Sequence, residues 1–476
     1  MAQMGKEVHV VMLPWSAFGH LLPFFQLSIS LAKSGIHVSF ISTPKNIQRL
    51  PPIPSNLQSL FQFVHFPLPI LQDEPLPEGA EATVDLPGPK IDYLKIAYDL
   101  LQHPLNKFLA EQKPNWIIAD VIPHWIPEIA QQNQVQFLLF SVFSASSFLF
   151  LAYPESLVVG TENQKKLRPS WESMTSKPEW IDFPSSLAYT KKEAIDVFQW
   201  IYSMNASGIS DGERVFKVLN SCQALIFRSC TEIEGEYLKT WEKVLGKPVI
   251  PAGLLPPEKP KLSTDEIKED DDSWSQVFKW LDQQNPKSVV FVGFGSEFKL
   301  SKDQVFEIAY GLELSGLPFL WALRKPNWAK DDLDSLPQGF SDRTCGKGIV
   351  RFGWAPQMEI LGHLSIGGTL FHSGWGSIIE MLQFGHCLVL LPFIIDQPLN
   401  ARFLVEKGLG VEVERNEEDG SFSRDGISKA LRLAMVSDEG KMLRARASEV
   451  AEIFGDQKLH QDYYIARLVQ FLKTTE

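Results

Sequence analysis

Strand-sized runs rich in Val, Ile and Phe recur along the whole chain, separated by segments long enough to hold helices. In the first half they are Val8–Trp15, Val38–Thr43, Trp116–Val121, Phe137–Val142 and Ala224–Ser229; in the second, Ser288–Phe294, Phe319–Arg324, Ile349–Phe352, Thr369–Phe371 and Cys387–Pro392. A continuous apolar run must be covered on both faces, and a mostly parallel sheet with helical crossovers does this. Leu21 to Lys33 and Asp303 to Ser315 carry the helical spacing that such crossovers need. The sequence therefore predicts an α/β chain with two doubly wound halves. Between them, PAGLLPPEKPKLSTDEIKEDDDS is dense in Pro and then in acid and offers no periodic apolar face. This places a first domain at 1–250, a linker at 251–273 and a second domain at 274–455. The tail, 456–476, reads as an amphipathic helix with Leu459, Tyr463, Leu468 and Leu472 on its packed face.

Charge and cysteine content exclude several functions. Lys and Arg total 45 against 57 Asp and Glu, a net charge of −12 over 476 residues. Nucleic acid and anionic membrane surfaces both call for the opposite balance. Four cysteines, Cys222, Cys230, Cys345 and Cys387, form no C-x-x-C pair, which fits a reducing, cytoplasmic compartment without structural zinc. The longest uncharged stretch, Phe137 to Tyr153, contains Ser141, Ser144, Ser146 and Ser147. It reads as a buried strand entering a buried helix and not as a membrane span. The acid run Asp270, Asp271 and Asp272 reads as a solvated charge cluster, and Asp332-Leu333-Asp334 follows a loop where a metal-binding D-x-D would close a strand. No metal site is expected.

The most informative stretch runs from Trp354 to Gln397. Thr369-Leu370-Phe371 should be a buried strand, His372 to Ser377 a turn, and a helix should begin at Ile378. Strand, glycine turn and helix start together form an anion cradle, because exposed N–H groups and the helix dipole favour a phosphate. Ser377-x-x-Glu380 reads equally as a capping box, which would explain both residues without a ligand. Trp354 can stack on a base, His372 can donate to a phosphate, and Asp396-Gln397 can bond hydroxyls. An aromatic, a phosphate cradle and a hydroxyl reader describe a nucleotide sugar.

These residues resemble the donor-site box of plant UDP-dependent secondary-product glycosyltransferases, a family with the GT-B fold of two Rossmann-like domains facing a cleft. The likeness lies in Trp354-Ala355-Pro356-Gln357, in His372-x-Gly374-Trp375-x-Ser377-x-x-Glu380, and in Asp396-Gln397 followed by Asn400-Ala401. It implies that Trp354 stacks on uracil, that Gln357 and Glu380 take the ribose, that His372 and Ser377 hold the diphosphate, and that Asp396 and Gln397 bond the sugar. Gly295-Ser296, after the first strand of the second half, resembles the family's second phosphate-facing loop. Ser373 stands where Cys is usual and Gly376 where Asn is usual, and the second departure resembles the branch that extends sugars on glycosides with glucose or rhamnose. A closing Gln397 beside Trp375 implies UDP-glucose as co-substrate, with UDP-rhamnose second. The resemblance further implies that the tail crosses back onto the first domain, and the enzyme is expected to act as a monomer.

In the first half, His20 follows the first strand near a helix start carrying Pro23 in its first turn, and Trp116-Ile117-Ile118-Ala119-Asp120 ends in a carboxylate at the same sheet edge. The helix dipole favours a neutral imidazole, and Asp120 can accept from one of its ring nitrogens. The resemblance implies the same pair as the catalytic dyad of an inverting transfer that needs no metal. Trp15, Phe18, Ser141 and Phe198 are the expected acceptor contacts. A dinucleotide-binding reading fails because Val292-Gly293-Phe294-Gly295-Ser296 lacks the third glycine, with Phe at 298. A sugar-nucleotide sensor without chemistry is the alternative outside the enzymes, and it leaves His20 and Asp120 without a purpose.

Overall fold

The computed structural model describes residues 7–72, 76–152, 169–260, 272–332 and 334–474. They form two compact units, each around one parallel sheet. The first comprises 1–184, 195–255 and 457–476; the second 185–194 and 256–456.

The first sheet contains β1 (His9–Leu13), β2 (His37–Ser42), β3 (Phe61–His65), β4 (Trp116–Ala119), β5 (Gln136–Ser141), β6 (Ala224–Phe227) and β7 (Val249–Pro251), in the order β3-β2-β1-β4-β5-β6-β7. The second contains β8 (Val289–Gly293), β9 (Phe319–Leu323), β10 (Gly348–Phe352), β11 (Ile366–Phe371), β12 (Cys387–Leu390) and β13 (Gly410–Glu412), in the order β10-β9-β8-β11-β12-β13. Every ladder is parallel. The winding reverses between β1 and β4 in one sheet and between β8 and β11 in the other, and ligands of such sheets bind at these switch points.

β3, β7 and β13 were not expected. Each is an outer strand, half-exposed, so its apolar signal is diluted. β7 reaches the expected linker only with its last residue, Pro251, and Ala252 and Leu255 after it are buried in the first core, so that part of 251–273 is packed structure. Asp270 and Asp271 lie outside the described residues.

Each core fills the space between sheet and helices. In the first unit Phe24, Phe40, Trp116 and Ile226 pack with Ile465, Leu468 and Leu472 of the tail, and the Trp116 indole donates to the Leu472 carbonyl at 3.0 Å. Burying a side chain of this size contributes about 1.5–3 kcal/mol, which makes the tail part of the first unit's core. The tail's buried face is shifted from expectation. Leu459–Ile465 is a π-helical stretch, and its wider turn leaves Tyr463 47% exposed while burying Tyr464 and Ile465. None of the described helices is long and apolar enough to cross a membrane.

Candidate active site

In the first unit the helix after β1 begins at Phe18 and runs to Lys33. It therefore starts earlier than the sequence suggested, and Pro23 lies inside it, beyond the first turn. His20 is its third residue, with its N–H donating to the Ala17 carbonyl at 2.9 Å. Asp120 directly follows β4, the neighbour of β1, which brings two residues a hundred positions apart to the same sheet edge. His20 Nδ1 lies 2.8 Å from Asp120 Oδ2. A carboxylate only accepts, so Nδ1 carries the proton and Nε2 presents a lone pair.

Asp120 is fully buried, and its remaining acceptor capacity is met by the main chain. Trp15 N–H donates to Oδ2 at 2.9 Å and Val121 N–H to Oδ1 at 2.7 Å. These bonds offset the cost of burying a charge and fix the carboxylate's direction. The Phe143 ring meets the imidazole edge-on at 5.5 Å. Tyr98 donates to the Pro14 carbonyl at 2.8 Å, holding the chain where it leaves β1. The result is a half-buried imidazole in a defined tautomer, backed by a carboxylate, suited to take a proton from a hydroxyl.

The expected acceptor residues fall in different places. Trp15 is 5% exposed and packs edge-on against Tyr98 at 5.1 Å, so its visible contribution is the N–H on Asp120. Phe18 and Phe198 are half-buried. Ser141 ends β5 with no exposed surface, and its hydroxyl points to the Phe143 carbonyl at 3.5 Å. Its neighbours Ser144, Ser146 and Ser147 bond one another, and the buried Glu234 carboxylate accepts from the Ala145 and Ser146 N–H groups. The serine cluster is thus a helix cap, and Ser141, expected as an acceptor contact, is buried beside it.

In the second unit the helix after β11 spans Trp375–Leu382 with Gly374 as its N-cap. It starts three residues before the expected Ile378. Ser377 and Glu380 are therefore both inside it and form no capping box. No side chain caps this helix start, and the first-turn N–H groups of Gly376 and Ser377 point the way that favours an anion. Trp375 itself is buried. His372, at the end of β11, packs its ring against Gly295 and Gly374. A Cβ at Gly295 would lie 2.9 Å from the ring and one at Gly374 2.6 Å from it. Gly295 also has φ +67°, a left-handed conformation that glycine adopts without strain. The buried His372 Nδ1 has no partner, and burial pushes the imidazole pKa down to about 4. It is a neutral group.

Trp354 follows β10 and is 78% exposed, an open indole face, with Ala355 half-buried beside it. Gln357 begins the helix Gln357–Leu361, and its Nε2 donates to Glu380 Oε2 at 2.6 Å. The two expected ribose contacts therefore bond each other. Gln397 begins the helix Gln397–Glu406, and its Oε1 accepts from the Phe393 and Ile394 N–H groups at 2.9 and 3.1 Å. That leaves the amide NH2 as the end able to face a ligand. Asn400 Nδ2 donates to Asp396 Oδ2 at 2.8 Å and to the Ser373 carbonyl at 3.1 Å, tying the pair expected to read hydroxyls to the turn after His372. Ser373 has φ +64°. Ser296 lies in the loop after β8, where its carbonyl accepts from Arg324. The same loop carries Phe298, which stacks on Phe393 at 4.2 Å.

Residues 264–458 match the family model described as UDP-glucoronosyl and UDP-glucosyl transferase. UDP-glycosyltransferase 91A1 of Arabidopsis thaliana is 42% identical over 99% of this chain and 97% of its own length. The chain belongs to the UDP-glycosyltransferase family. Soyasaponin III rhamnosyltransferase of Glycine max is a further relative, 39% identical over 96% of this chain and 94% of its own. A transferase from Siraitia grosvenorii in complex with UDP superposes with a TM-score of 0.75, covering 98% of this chain and 100% of that one at 23% identity. This shows the GT-B fold. The protein is thus a UDP-sugar-dependent glycosyltransferase of plant secondary metabolism. No group of three or more His, Cys, Asp or Glu suited to a metal ion occurs among the described residues.

Proposed function

We propose that this UDP-glycosyltransferase transfers a hexose, glucose in the first place, from UDP-glucose to a hydroxyl of a plant small molecule or its glycoside, of the flavonoid or terpenoid class. The observation that carries the catalytic reading is the 2.8 Å contact between His20 Nδ1 and a buried Asp120 pinned by two backbone N–H groups. His20 Nε2 takes the acceptor's proton as the oxygen attacks the anomeric carbon. The C–O bond to the diphosphate breaks, UDP departs with the electron pair, and the anomeric configuration inverts. Asp120 stabilises the imidazolium so formed. On the donor side Trp354 stacks on uracil and Ala355 adjoins it. Gln357 and Glu380 take the ribose as a bonded pair. His372, Ser377, Gly295, Ser296 and the N–H groups of Gly376 and Ser377 receive the diphosphate, whose developing charge is stabilised by neutral donors and a helix dipole. Asp396 and the Gln397 NH2 bond the sugar. Nothing in this scheme calls for a metal.

In this reading Phe18 and Phe198 contact the acceptor, with Trp15 acting mainly through its backbone N–H on Asp120. The enzyme works as a cytoplasmic monomer. Rhamnose as the transferred sugar is a second reading, favoured by the soybean relative, which is named as a rhamnosyltransferase. A saponin is by definition a glycoside, so the same relative, together with Gly376, favours acceptors that already carry a sugar. The test is UDP release with product masses, in EDTA, across UDP-glucose, UDP-rhamnose and UDP-galactose against aglycones and their monoglucosides. A hexose gain from UDP-glucose supports the proposal. A deoxyhexose gain replaces it with rhamnosyl transfer, and activity restricted to EDTA-free buffer overturns the metal-independent mechanism.

A further inference from the structure

The segment Ser185–Ala194 precedes β6 in sequence yet belongs to the second unit. It lies along the helix Gln397–Glu406 and is held at three points. Ser186 donates from N–H and hydroxyl to Glu406 Oε2 at 2.7 and 3.0 Å. Tyr189, 3% exposed, donates its hydroxyl to the Ile395 carbonyl at 2.6 Å. Glu193 takes a two-pronged bond from Arg402 at 2.9 and 3.1 Å.

The middle contact falls on an unusual residue. Ile395 has φ +48°, a left-handed conformation that a β-branched side chain rarely adopts, so the surroundings must enforce it. It directly precedes Asp396 and Gln397. The Gln397 amide is oriented by the N–H groups of Phe393 and Ile394, and the Arg415 guanidinium holds the Pro392 carbonyl at the start of the same loop. Tyr189 is thus the distant side chain that fixes the peptide linking the amide's own cradle to Asp396.

We infer that Tyr189 is a positioning residue for the sugar-reading pair Asp396–Gln397 and strengthens recognition of the donor's sugar without contributing to recognition of its nucleotide. This rests on the donor site proposed above. Tyr189→Phe removes one hydroxyl and leaves the ring's packing intact. Losing one buried hydrogen bond that orients a binding pair corresponds to about a five- to tenfold change in affinity.

The experiment is calorimetric titration of the full chain with UDP, UDP-glucose and UDP-rhamnose, for wild type, Tyr189→Phe, Glu193→Gln and Gln397→Ala, with a thermal melt of each. Expected for Tyr189→Phe is a five- to tenfold loss of affinity for the preferred UDP-sugar, UDP affinity within twofold of wild type, and a melt lowered by only about 2–4 °C. Glu193→Gln should move the same ratio by about two- to threefold. Equal weakening of UDP and UDP-sugar would mean a merely structural role and overturns the inference, as does an unchanged ratio in Tyr189→Phe when Gln397→Ala lowers it. An unchanged ratio in Gln397→Ala removes the donor-site reading, and the inference falls with it.

Discussion

The two units place different chemistry at equivalent positions of the same winding. After the first central strand, β1 or β8, stand His20 in one and Gly295 in the other; after the second, β4 or β11, stand Asp120 and His372. In the first unit the switch point holds an imidazole on a carboxylate at 2.8 Å, the pair proposed for proton transfer. In the second the glycine leaves room for an imidazole, whose ring would lie 2.9 Å from any Cβ there. One histidine is joined to a charge and the other is kept from any charge. The topology creates the crevice, and in the proposed reading the residues set beside it decide whether it moves protons or receives an anion.

The comparison breaks most sharply at the dyad. His20→Ala should lower turnover by about a thousandfold, within the range for loss of a general base, while UDP binding stays within twofold. Turnover above a tenth of wild type would end the proton-transfer reading. Gly295→Ala should weaken UDP binding about tenfold, since a side chain at φ +67° is strained by about 1–2 kcal/mol and also presses on His372. Titration with UDP measures it, and unchanged affinity would mean the ring's seat is not the diphosphate's. The smallest effect concerns charge. His372 titrates at about 4 when folded against 6.5 when free, so between those values the unfolded chain binds more protons and stability rises with pH. This contribution is complete above 6.5 and is lost as pH falls through 4. His372→Gln should therefore show a shallower fall in denaturation midpoint from pH 6.5 to 4.5; the buried His386, also lowered to about 4, keeps part of the slope. An unchanged slope would show that the His372 imidazole is protonated without penalty.

Much of this was legible in the sequence where the signal is local and strong. Ten of the strands announce themselves as apolar runs, all but the outer β10 because they lie inside a sheet and are covered on both faces, and Asp120 and His372 directly follow strands while His20 and Asp396 stand at the helix starts after them. Legibility fails where partners decide. Ser141 looks like a polar lining residue, but it closes β5 beside a serine cluster whose capping carboxylate, Glu234, comes from much later in the chain. The Ser377–Glu380 spacing fits a capping box, but the helix starts earlier and Glu380 bonds Gln357 instead. The π-helical stretch in the tail exchanges Tyr463 for Tyr464 on the buried face, a shift invisible to a pattern read at 3.6 residues per turn.

The sequence by itself determined the two doubly wound halves, the histidines that follow the central strands and the family motif, because periodicity, glycine placement and residue chemistry act over a few positions. Only the tertiary structure decided that Ser185–Ala194 belongs with the second unit, that Trp15 serves Asp120 through its backbone, and that Gln397 has one amide end already engaged. Each of these depends on which buried donor meets which acceptor, often across a hundred residues or more. A buried polar group must find a partner wherever the fold supplies one, and no local pattern records which one that is.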